Sequence, residues 1–412
     1  MRIRLCAVLF AALWLGGCAR EREAVDGQLA TEIAGIKAID NHAHPALVAA
    51  SDRGFDGLPV DNMEPQSDPV AMRPGAWKTP FTAASKAAAK AKYGEGYPAW
   101  VLDQIGVETM LANRVTMGAS VQPPRFRWVA YADALIFPLD NAHLGARNSD
   151  RKAFFTLEDK LRARYVSEAG LSAMPATLAE YAAKVVTATL EKHKAGGAVA
   201  EKFEAAYLRS LSFDPADASA AAGVYAKQAA GDAEYKVLQD YLFRYIVSEC
   251  GRLGMAVHLH SAVGAGGYFD VAGANPLNLA SVLDDPALRK TKIVMVHGGY
   301  PFPHEIGALL MKPNAYTDFS NQSLLVSPAV LAGTLREWLE LEPEKVMFGT
   351  DGYPYSEELG WEESAWVAAK QGREALGRAL TGMLRDGVVT HARAVEIARM
   401  VLRENARKVY GL

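Results

Sequence analysis

The stretch Met255-Ala256-Val257-His258-Leu259-His260 contains the pattern that decides the fold. Side chains alternate between the two faces of a strand, so its methionine, valine and leucine would face covering helices. Its alanine and both histidines would face inward, with His260 at the carboxyl end of the strand. The stretch therefore predicts a strand that is packed against helices on one face and carries polar side chains on the other.

Short apolar runs of this kind recur along the chain. The other seven are Ile36–Asn41, Val107–Asn113, Arg127–Leu135, Gly197–Phe203, Lys292–His297, Ala315–Phe319 and Lys345–Thr350. The later runs are separated by the helical patterns Glu234–Leu253, Leu277–Leu283, Pro303–Met311 and Pro328–Leu341. Alternating strands and helices indicate a parallel sheet, and eight such units favour a closed barrel over an open sheet. We predict an α/β fold, a (β/α)8 TIM barrel.

Two connections are long, at residues 43–99 and 137–195. They follow the first and third predicted strands at their carboxyl ends, where barrel enzymes build their sites. We interpret them as insertions that cover a substrate and not as separate domains.

The composition of the chain limits its function. Its 412 residues suit one barrel with insertions, and half of them are hydrophobic, which allows a large core. The net charge of −3 and the lack of a basic stretch exclude nucleic acid as an expected partner. We expect a small-molecule substrate, and the chain could form a homo-oligomer.

The amino terminus has the features of a targeting segment. Arg2 and Arg4 precede the apolar run Leu5–Leu15, which is too short to cross a bilayer as a helix. The run ends in Leu15-Gly16-Gly17-Cys18, which resembles the bacterial lipobox, and this resemblance implies a lipid on Cys18. A plain secretory signal with a chance cysteine is the alternative.

This interpretation divides the chain into a signal peptide (1–18), a tether (19–32) and a catalytic domain (33–412). In bacterial lipoproteins an aspartate directly after the lipidated cysteine favours retention in the inner membrane. Ala19 stands at this position, so we expect the outer membrane, with the domain facing the periplasm. Apart from Cys6 in the signal and Cys18, only Cys250 remains, so we expect no internal disulfide and a buried thiol.

Polar residues stand at the ends of several predicted strands. His42 and His44 are two residues apart, so both imidazoles can reach one metal ion. His260, His297 and Asp351 each end another apolar run, and isolated buried groups of this kind would be costly. Four strands thus deliver nitrogen and oxygen ligands to one end of a barrel, a set that suits zinc, with manganese or iron as alternatives.

These stretches also resemble a known family. Ile39-Asp40-Asn41-His42-Ala43-His44, His258-Leu259-His260-Ser261, Val296-His297-Gly298-Gly299-Tyr300-Pro301 and Phe348-Gly349-Thr350-Asp351-Gly352 resemble motifs of the amidohydrolase superfamily, in its amidohydrolase-2 group. The block Val257–Tyr355 is most similar to the amidohydrolase-like half of proteins fused to glutamine-synthetase-like domains.

The resemblance implies roles for individual residues. His42, His44 and His260 would be metal ligands, and Asp351 would bind the metal and act as general base toward the attacking water. His297 would be either a second-metal ligand or the group that polarises the substrate.

Lys202 decides between one metal ion and two. It lies at the inward parity of its strand, where binuclear members of the superfamily carry a carbamylated lysine. Carbamylation needs a neutral amine, which burial near cations favours. The alternative is an unmodified lysine that is paired with a carboxylate such as Glu204.

Two residues after the fourth predicted strand are candidates for substrate binding. Tyr207 could meet a substrate there, and Arg209 could bind a substrate carboxylate through two hydrogen bonds. For Arg209 a salt bridge at the surface is the alternative. For His258, one layer deeper than His260, we expect a hydrogen-bonded core role.

The sequence therefore predicts a metal-dependent hydrolase that cleaves a C–N or C–O bond of an amide, lactone or ester through metal-activated water. Two alternatives stay open. The first is a metal-dependent decarboxylase of a small aromatic or unsaturated acid, and the second is a metal-binding lipoprotein without catalytic activity.

Overall fold

A computed structural model describes residues 24–48, 78–355 and 359–412. The predicted signal peptide with Cys18, the first part of the tether and part of the first insertion lie outside the described residues.

The strands form one parallel sheet in the order of the sequence. They are β1 (Ala38–Ala43), β2 (Val107–Asn113), β3 (Phe126–Tyr131), β4 (Ala198–Phe203), β5 (Ala256–His260), β6 (Ile293–Val296), β7 (Ala315–Asp318) and β8 (Val346–Met347). The sheet closes because the segment after β8 pairs with β1, where the backbone N–H of Asn41 donates to Phe348 (2.9 Å) and that of His44 to Gly352 (2.8 Å). The predicted (β/α)8 barrel is confirmed.

Helices surround this barrel. The main ones are α1 (Gly27–Gly35), α2 (Ala83–Tyr93), α3 (Tyr97–Ile105), α4 (Ser149–Glu168), α5 (Ala188–Ala195), α6 (Ala218–Ala226), α7 (Asp232–Leu253), α8 (Pro303–Leu310), α9 (Pro328–Leu341), α10 (Trp361–Arg385), α11 (His391–Arg399) and α12 (Asn405–Tyr410). Helix α4 and the segment up to α5 belong to the long connection after β3, as predicted.

The alternation in β5 has the predicted orientation. Met255, Val257 and Leu259 belong to the core between strands and helices, whereas Ala256 belongs to a second apolar cluster inside the barrel. Burial on both faces explains why these strands contain few polar residues before their carboxyl ends.

Strand β3 is shorter than the predicted run Arg127–Leu135. It ends at Tyr131, which pairs with Lys202 of β4. The chain then turns because the buried carboxyl group of Asp133 accepts the backbone N–H of Glu204 at 2.7 Å. A side chain thus takes the place of the next sheet hydrogen bond, an effect that hydrophobic periodicity does not reveal.

Helix α1 extends the packed part of the chain into the predicted tether. Asp26 caps the helix by accepting the N–H of Leu29, and its own N–H donates to Thr381 of α10. Leu29 and Ile33 are buried. Folded structure therefore begins before residue 33, the start that the sequence predicts for the domain.

Helix α12 covers the amino-terminal ends of the strands. Lys292, which directly precedes β6, donates through Nζ to the carbonyls of Lys408 and Val409. Val409 belongs to the apolar cluster inside the barrel, and Tyr410 packs against it. The amino-terminal end of the barrel is thus filled and covered.

The expectation of a buried thiol is confirmed for Cys250, which is fully buried in α7 and has a pKa raised by that burial. Within the part of the chain that the structure describes, no helix combines the length and the apolar character needed to cross a bilayer.

Candidate metal centre

Two imidazoles meet at the end of β1. His42 and His44 are both buried, and their Nε2 atoms lie 3.2 Å apart. They can do so because residues two apart in a strand project to the same side. The orientation predicted for this pair is therefore confirmed.

Asp351 completes a group of three ligands. Its Oδ1 lies 3.3 Å from His42 Nε2 and 3.4 Å from His44 Nε2. Its backbone N–H donates to the carbonyl of His42 at 2.8 Å, so the two residues are fixed relative to each other. All three ligand atoms lie within 4.8 Å of one another.

These separations fit a divalent cation. Zinc binds nitrogen and oxygen at about 2.0–2.2 Å in tetrahedral geometry, which places neighbouring ligand atoms about 3.3–3.6 Å apart. The spacing of His42, His44 and Asp351 is close to this range. The three side chains could therefore hold one ion, and a tetrahedral site with three protein ligands leaves a fourth position for a small ligand.

The electrostatics of the three residues agree with this role. Burial and the charge of Lys202 lower the pKa of His42, so its ring is neutral, as a metal ligand must be. Burial disfavours the charge of Asp351, but His297, His42 and His44 together hold the pKa of this carboxyl well below its usual range. Asp351 is therefore a carboxylate.

Two of the predicted site residues adopt an uncommon backbone conformation. His297 has a φ of 72° and Asp351 a φ of 55°, a region that L-residues rarely occupy. Such strain costs on the order of 1–3 kcal/mol and is typical of functional sites.

His260 lies beside the three ligands but makes other contacts. Its Nε2 donates to the carbonyl of Ala262 at 3.0 Å, and its Nδ1 lies 3.3 Å from Glu204 Oε2. Its ring centroid is 4.7 Å from that of His297. The resemblance implies that His260 is a metal ligand. To bind a metal through Nε2, His260 would have to break its hydrogen bond with the carbonyl of Ala262.

His297 packs edge-on against His42, with ring centroids 4.8 Å apart. Its Nδ1 lies 2.9 Å from Ser320 Oγ, and its backbone N–H donates to Asp318 Oδ1 at 2.9 Å. Burial lowers the pKa of His297 well below its usual value, so the ring is neutral. The structure therefore brings His297 to the edge of the centre.

Lys202 forms an ion pair with Glu204, which is the alternative to carbamylation. It is fully buried, and its Nζ lies 2.9 Å from Glu204 Oε1 and 3.5 Å from His42 Nε2. Burial alone would raise the pKa of Glu204, but the charge of Lys202 holds it well below the usual range. Lys202 thus supplies a positive charge directly behind His42.

The two predicted substrate residues differ in position. The Tyr207 ring lies 4.7 Å from that of His260, and its hydroxyl accepts the N–H of Ala265 at 3.3 Å, next to the centre. Arg209 instead donates to Asp240 and Gln239, at 2.7 and 2.9 Å. The hydrogen bonds that a substrate carboxylate would need are thus already made. Arg209 forms an ion pair, as in the alternative, but the pair with Asp240 is buried and not at the surface.

Sequence reasoning missed several residues that contact the ligands. Asn113 Nδ2 lies 2.9 Å from His42 Nδ1, and the Tyr131 hydroxyl lies 3.2 Å from His44 Nδ1. The Tyr355 hydroxyl donates to Asp351 Oδ2 at 3.3 Å. Asn113 and Tyr131 are the last residues of β2 and β3. The pattern of polar residues at strand ends, which predicts the histidines, therefore also predicts these two residues when amides and phenols are included.

Asp40 holds β1 against the segment that carries Asp351. Its carboxyl group accepts hydrogen bonds from the backbone N–H and the hydroxyl of Thr350. Burial raises the pKa of Asp40 to about 7. This buried acid thus fixes Thr350, the neighbour of the metal ligand Asp351.

Part of the chain is similar to a known family. Residues 221–412 match a family model that is described as Amidohydrolase, of the amidohydrolase-2 group. The protein fluG of Emericella nidulans is 27% identical over 186 residues, which are 43% of this chain and 20% of that protein. The match thus spans about a fifth of the length of this curated relative.

Solved structures share the fold over nearly the whole chain. A protein from Lactobacillus casei described as a metal-dependent hydrolase is 18% identical with a TM-score of 0.62, and the match covers 93% of this chain and 97% of that one. Uronate isomerase from Thermotoga maritima is 13% identical with a TM-score of 0.61, covering 97% of this chain and 100% of that one.

A closed parallel barrel that gathers His42, His44 and Asp351 at the carboxyl ends of its strands defines the class of (β/α)8-barrel proteins with a candidate metal centre. The carboxyl-terminal part of the chain, residues 221–412, is thus similar to the amidohydrolase-2 group of the amidohydrolase superfamily, a family of metal-dependent proteins, and the fold of the described residues agrees with this similarity.

Proposed function

We propose that this protein is a metal-dependent hydrolase that cleaves a C–N or C–O bond of a small amide, lactone or ester. One observation carries the proposal: the ligand atoms of His42, His44 and Asp351 already have the mutual spacing of a tetrahedral metal site. Zinc suits the nitrogen and oxygen donors, with manganese or iron as alternatives.

When bound, a divalent cation lowers the pKa of a water ligand to about 7, which makes a nucleophile available at neutral pH. The two carboxylate oxygens of Asp351 have different partners. Its Oδ1 lies between the two imidazoles, and its Oδ2 accepts the Tyr355 hydroxyl. As a carboxylate, Asp351 can accept the proton of the attacking water and return it to the leaving group.

The charge of Lys202 favours a single cation. Its ammonium group lies 2.9 Å from Glu204 and 3.5 Å from His42, and a positive charge this close to a ligand would repel a second cation beside it. A carbamylated Lys202 with two ions is the alternative form of the same proposal.

The proposal is tested by metal analysis and a substrate screen on the full chain purified without chelators. We expect about one zinc per chain and hydrolysis of a compound from an amide, lactone and ester library, lost on chelation and restored by zinc. Release of CO2 from an aromatic acid without hydrolysis would replace the proposal with the decarboxylase. Substoichiometric metal and no turnover would favour the non-catalytic lipoprotein.

We also propose that a lipid on Cys18 anchors the protein to the outer membrane, facing the periplasm. The support is the sequence Leu15-Gly16-Gly17-Cys18 after a short apolar run. In bacterial cells fed a labelled fatty acid, the protein should carry the label and sediment with the outer membrane. Cys18→Ser should be unlabelled, whereas Cys250→Ser should be labelled like the wild type. Equal labelling of Cys18→Ser would contradict the anchor.

A further inference from the structure

We propose that Asp318 and Ser320 are positioning residues, which hold the imidazole of His297 with its proton on Nδ1. Tyr410 of helix α12 supports them from inside the barrel, through Asn41. The inference rests on the proposed function because it assigns His297 a place in that metal centre.

The first step is the direction of the hydroxyl group of Ser320. Asp318 Oδ1 accepts the backbone N–H of His297 at 2.9 Å and that of Ser320 at 3.0 Å, so this oxygen is an acceptor. Ser320 Oγ lies 2.6 Å from the same oxygen. The serine hydrogen must therefore go to Asp318, which leaves Oγ free only to accept.

The second step fixes the tautomer of His297. Its Nδ1 lies 2.9 Å from Ser320 Oγ, whose hydrogen is already donated to Asp318. The hydrogen of this bond must then come from Nδ1. With its hydrogen on Nδ1, the ring presents Nε2 to the centre, and an imidazole that binds a cation through Nε2 carries no hydrogen on that atom.

The third step connects Asp318 to the opposite end of the barrel. Asn41 donates through Nδ2 to Asp318 Oδ2, and its Oδ1 accepts the hydroxyl hydrogen of Tyr410. The Tyr410 oxygen in turn lies 2.6 Å from His258 Nε2, which must be its donor. Every bond in this chain has one consistent direction, and two branches converge on the carboxylate of Asp318.

The network has a chemical consequence for His297. A neutral ring whose only hydrogen is on Nδ1 can bind a cation or accept a proton through Nε2, but it cannot donate to an oxyanion there. The resemblance implies either a ligand of a second metal ion or the group that polarises the substrate. In the single-ion centre proposed above, the network favours His297 as a further ligand of that ion over the group that polarises the substrate. Hydrogen bonds behind a ligating histidine commonly fix its tautomer in this way.

The direct test is nitrogen NMR of the full chain with labelled histidine, in metal-free form. The His297 signals, assigned by their loss in His297→Asn, should show a proton on Nδ1 and none on Nε2. Ser320→Ala should change this ring to a mixture of tautomers. A proton on Nε2 in the wild type, or an unchanged spectrum in Ser320→Ala, would overturn the proposal.

Zinc affinity, measured by competition with a coloured chelator, gives a second readout. Ser320→Ala should weaken binding by about 10- to 100-fold. Tyr410→Phe, which keeps the ring and the packing, should weaken it several-fold and shift the His297 nitrogen signals. Tyr316→Phe is the matched control, because Tyr316 packs against the same cluster inside the barrel and lies outside the network. Equal affinities in Tyr410→Phe and Tyr316→Phe would remove Tyr410 from the proposal.

The two proposals can fail separately. If no substrate is hydrolysed but the metal-free spectra behave as expected, the proposed reaction falls and the network stands. If Ser320→Ala does not fold, Tyr410→Phe still tests the network through the same signals.

Discussion

The two ends of the barrel are built from the same inward-facing positions but contain opposite chemistry. At the carboxyl ends of the strands, His42, His44 and Asp351 converge around space for an ion. At the amino-terminal ends, residues such as Leu111 and Val294 form an apolar cluster that helix α12 covers. The comparison indicates a division of labour, with ligand binding at one end and rigidity at the other.

This division is not complete, because the hydrogen bonds through Tyr410 and Asn41 connect the two ends. Substitutions at the carboxyl end should therefore change chemistry with little loss of folding free energy. Substitutions in the apolar cluster should do the reverse, unless they disturb this connection.

The largest effect is expected at the carboxyl end. Asp351→Asn removes the carboxylate that accepts the proton, so turnover should fall by about 100-fold or more while the folding free energy changes little. Steady-state kinetics and urea unfolding would measure both. Asp284→Asn, an exposed aspartate paired with Lys312, is the matched control. Turnover like that of the wild type in Asp351→Asn would exclude this residue from the mechanism.

The reverse pattern is expected in the apolar cluster. Leu111→Ala leaves a cavity at a fully buried position, which should lower the free energy of unfolding by about 2–5 kcal/mol. Zinc affinity should stay within a few-fold of the wild type. Leu341→Ala, at a half-exposed position, should have a much smaller effect on unfolding. A large loss of zinc affinity with normal stability would break the comparison.

A third prediction concerns buried acids near the carboxyl end. Burial raises the pKa of Asp133 to about 8, so between about pH 4 and 8 the folded protein keeps a proton that the unfolded chain has lost. This residue should therefore lower stability as pH rises in that window, by up to about 1.4 kcal/mol per pH unit.

Asp133→Asn cannot ionise and should flatten this dependence. Urea unfolding at several pH values should show a smaller decline from pH 5 to 8 in the variant than in the wild type. Asp284→Asn should keep the slope of the wild type. The same decline in Asp133→Asn as in the wild type would mean that Asp133 is already ionised in the folded protein over this range.

The smallest effect is expected outside both ends. Lys184 and Glu180 form an exposed ion pair at 2.8 Å, one helical turn apart. Such pairs contribute about 0.3–0.5 kcal/mol, so Lys184→Ala should barely change urea unfolding and leave turnover unchanged. This variant sets the baseline, and an effect as large as that of Leu111→Ala would show that the measurements do not separate the regions.

Much of this organisation is readable in the sequence. Period-two patterns predicted the strands, and the position of His42, His44 and Asp351 at the ends of apolar runs predicted their convergence, because parallel strands end at one edge. The partners of these residues were not predictable in the same way. Ser320 and Tyr410 enter the network through turns and helix placement, and the positive φ of His297 and Asp351 depends on the whole surrounding structure.

The position of His260 and Arg209 shows a second limit. Both residues lie where the strand pattern places them, yet the carbonyl of Ala262 and the carboxylate of Asp240 occupy their polar atoms. Residue spacing shows which side chains can approach a site but not which competing partner each one will find.

The candidate centre also lies across the seam at which the barrel closes, since His42 belongs to the first strand and Asp351 follows the eighth. At this seam Asp40 and Thr350, 310 residues apart in the chain, are hydrogen-bonded. An ion bound there would link two segments that are distant in sequence and would stabilise the folded protein by mass action. Chelation should then loosen this seam before the rest of the sheet, and recovery of the centre during refolding should be slow because its ligands are so far apart in sequence.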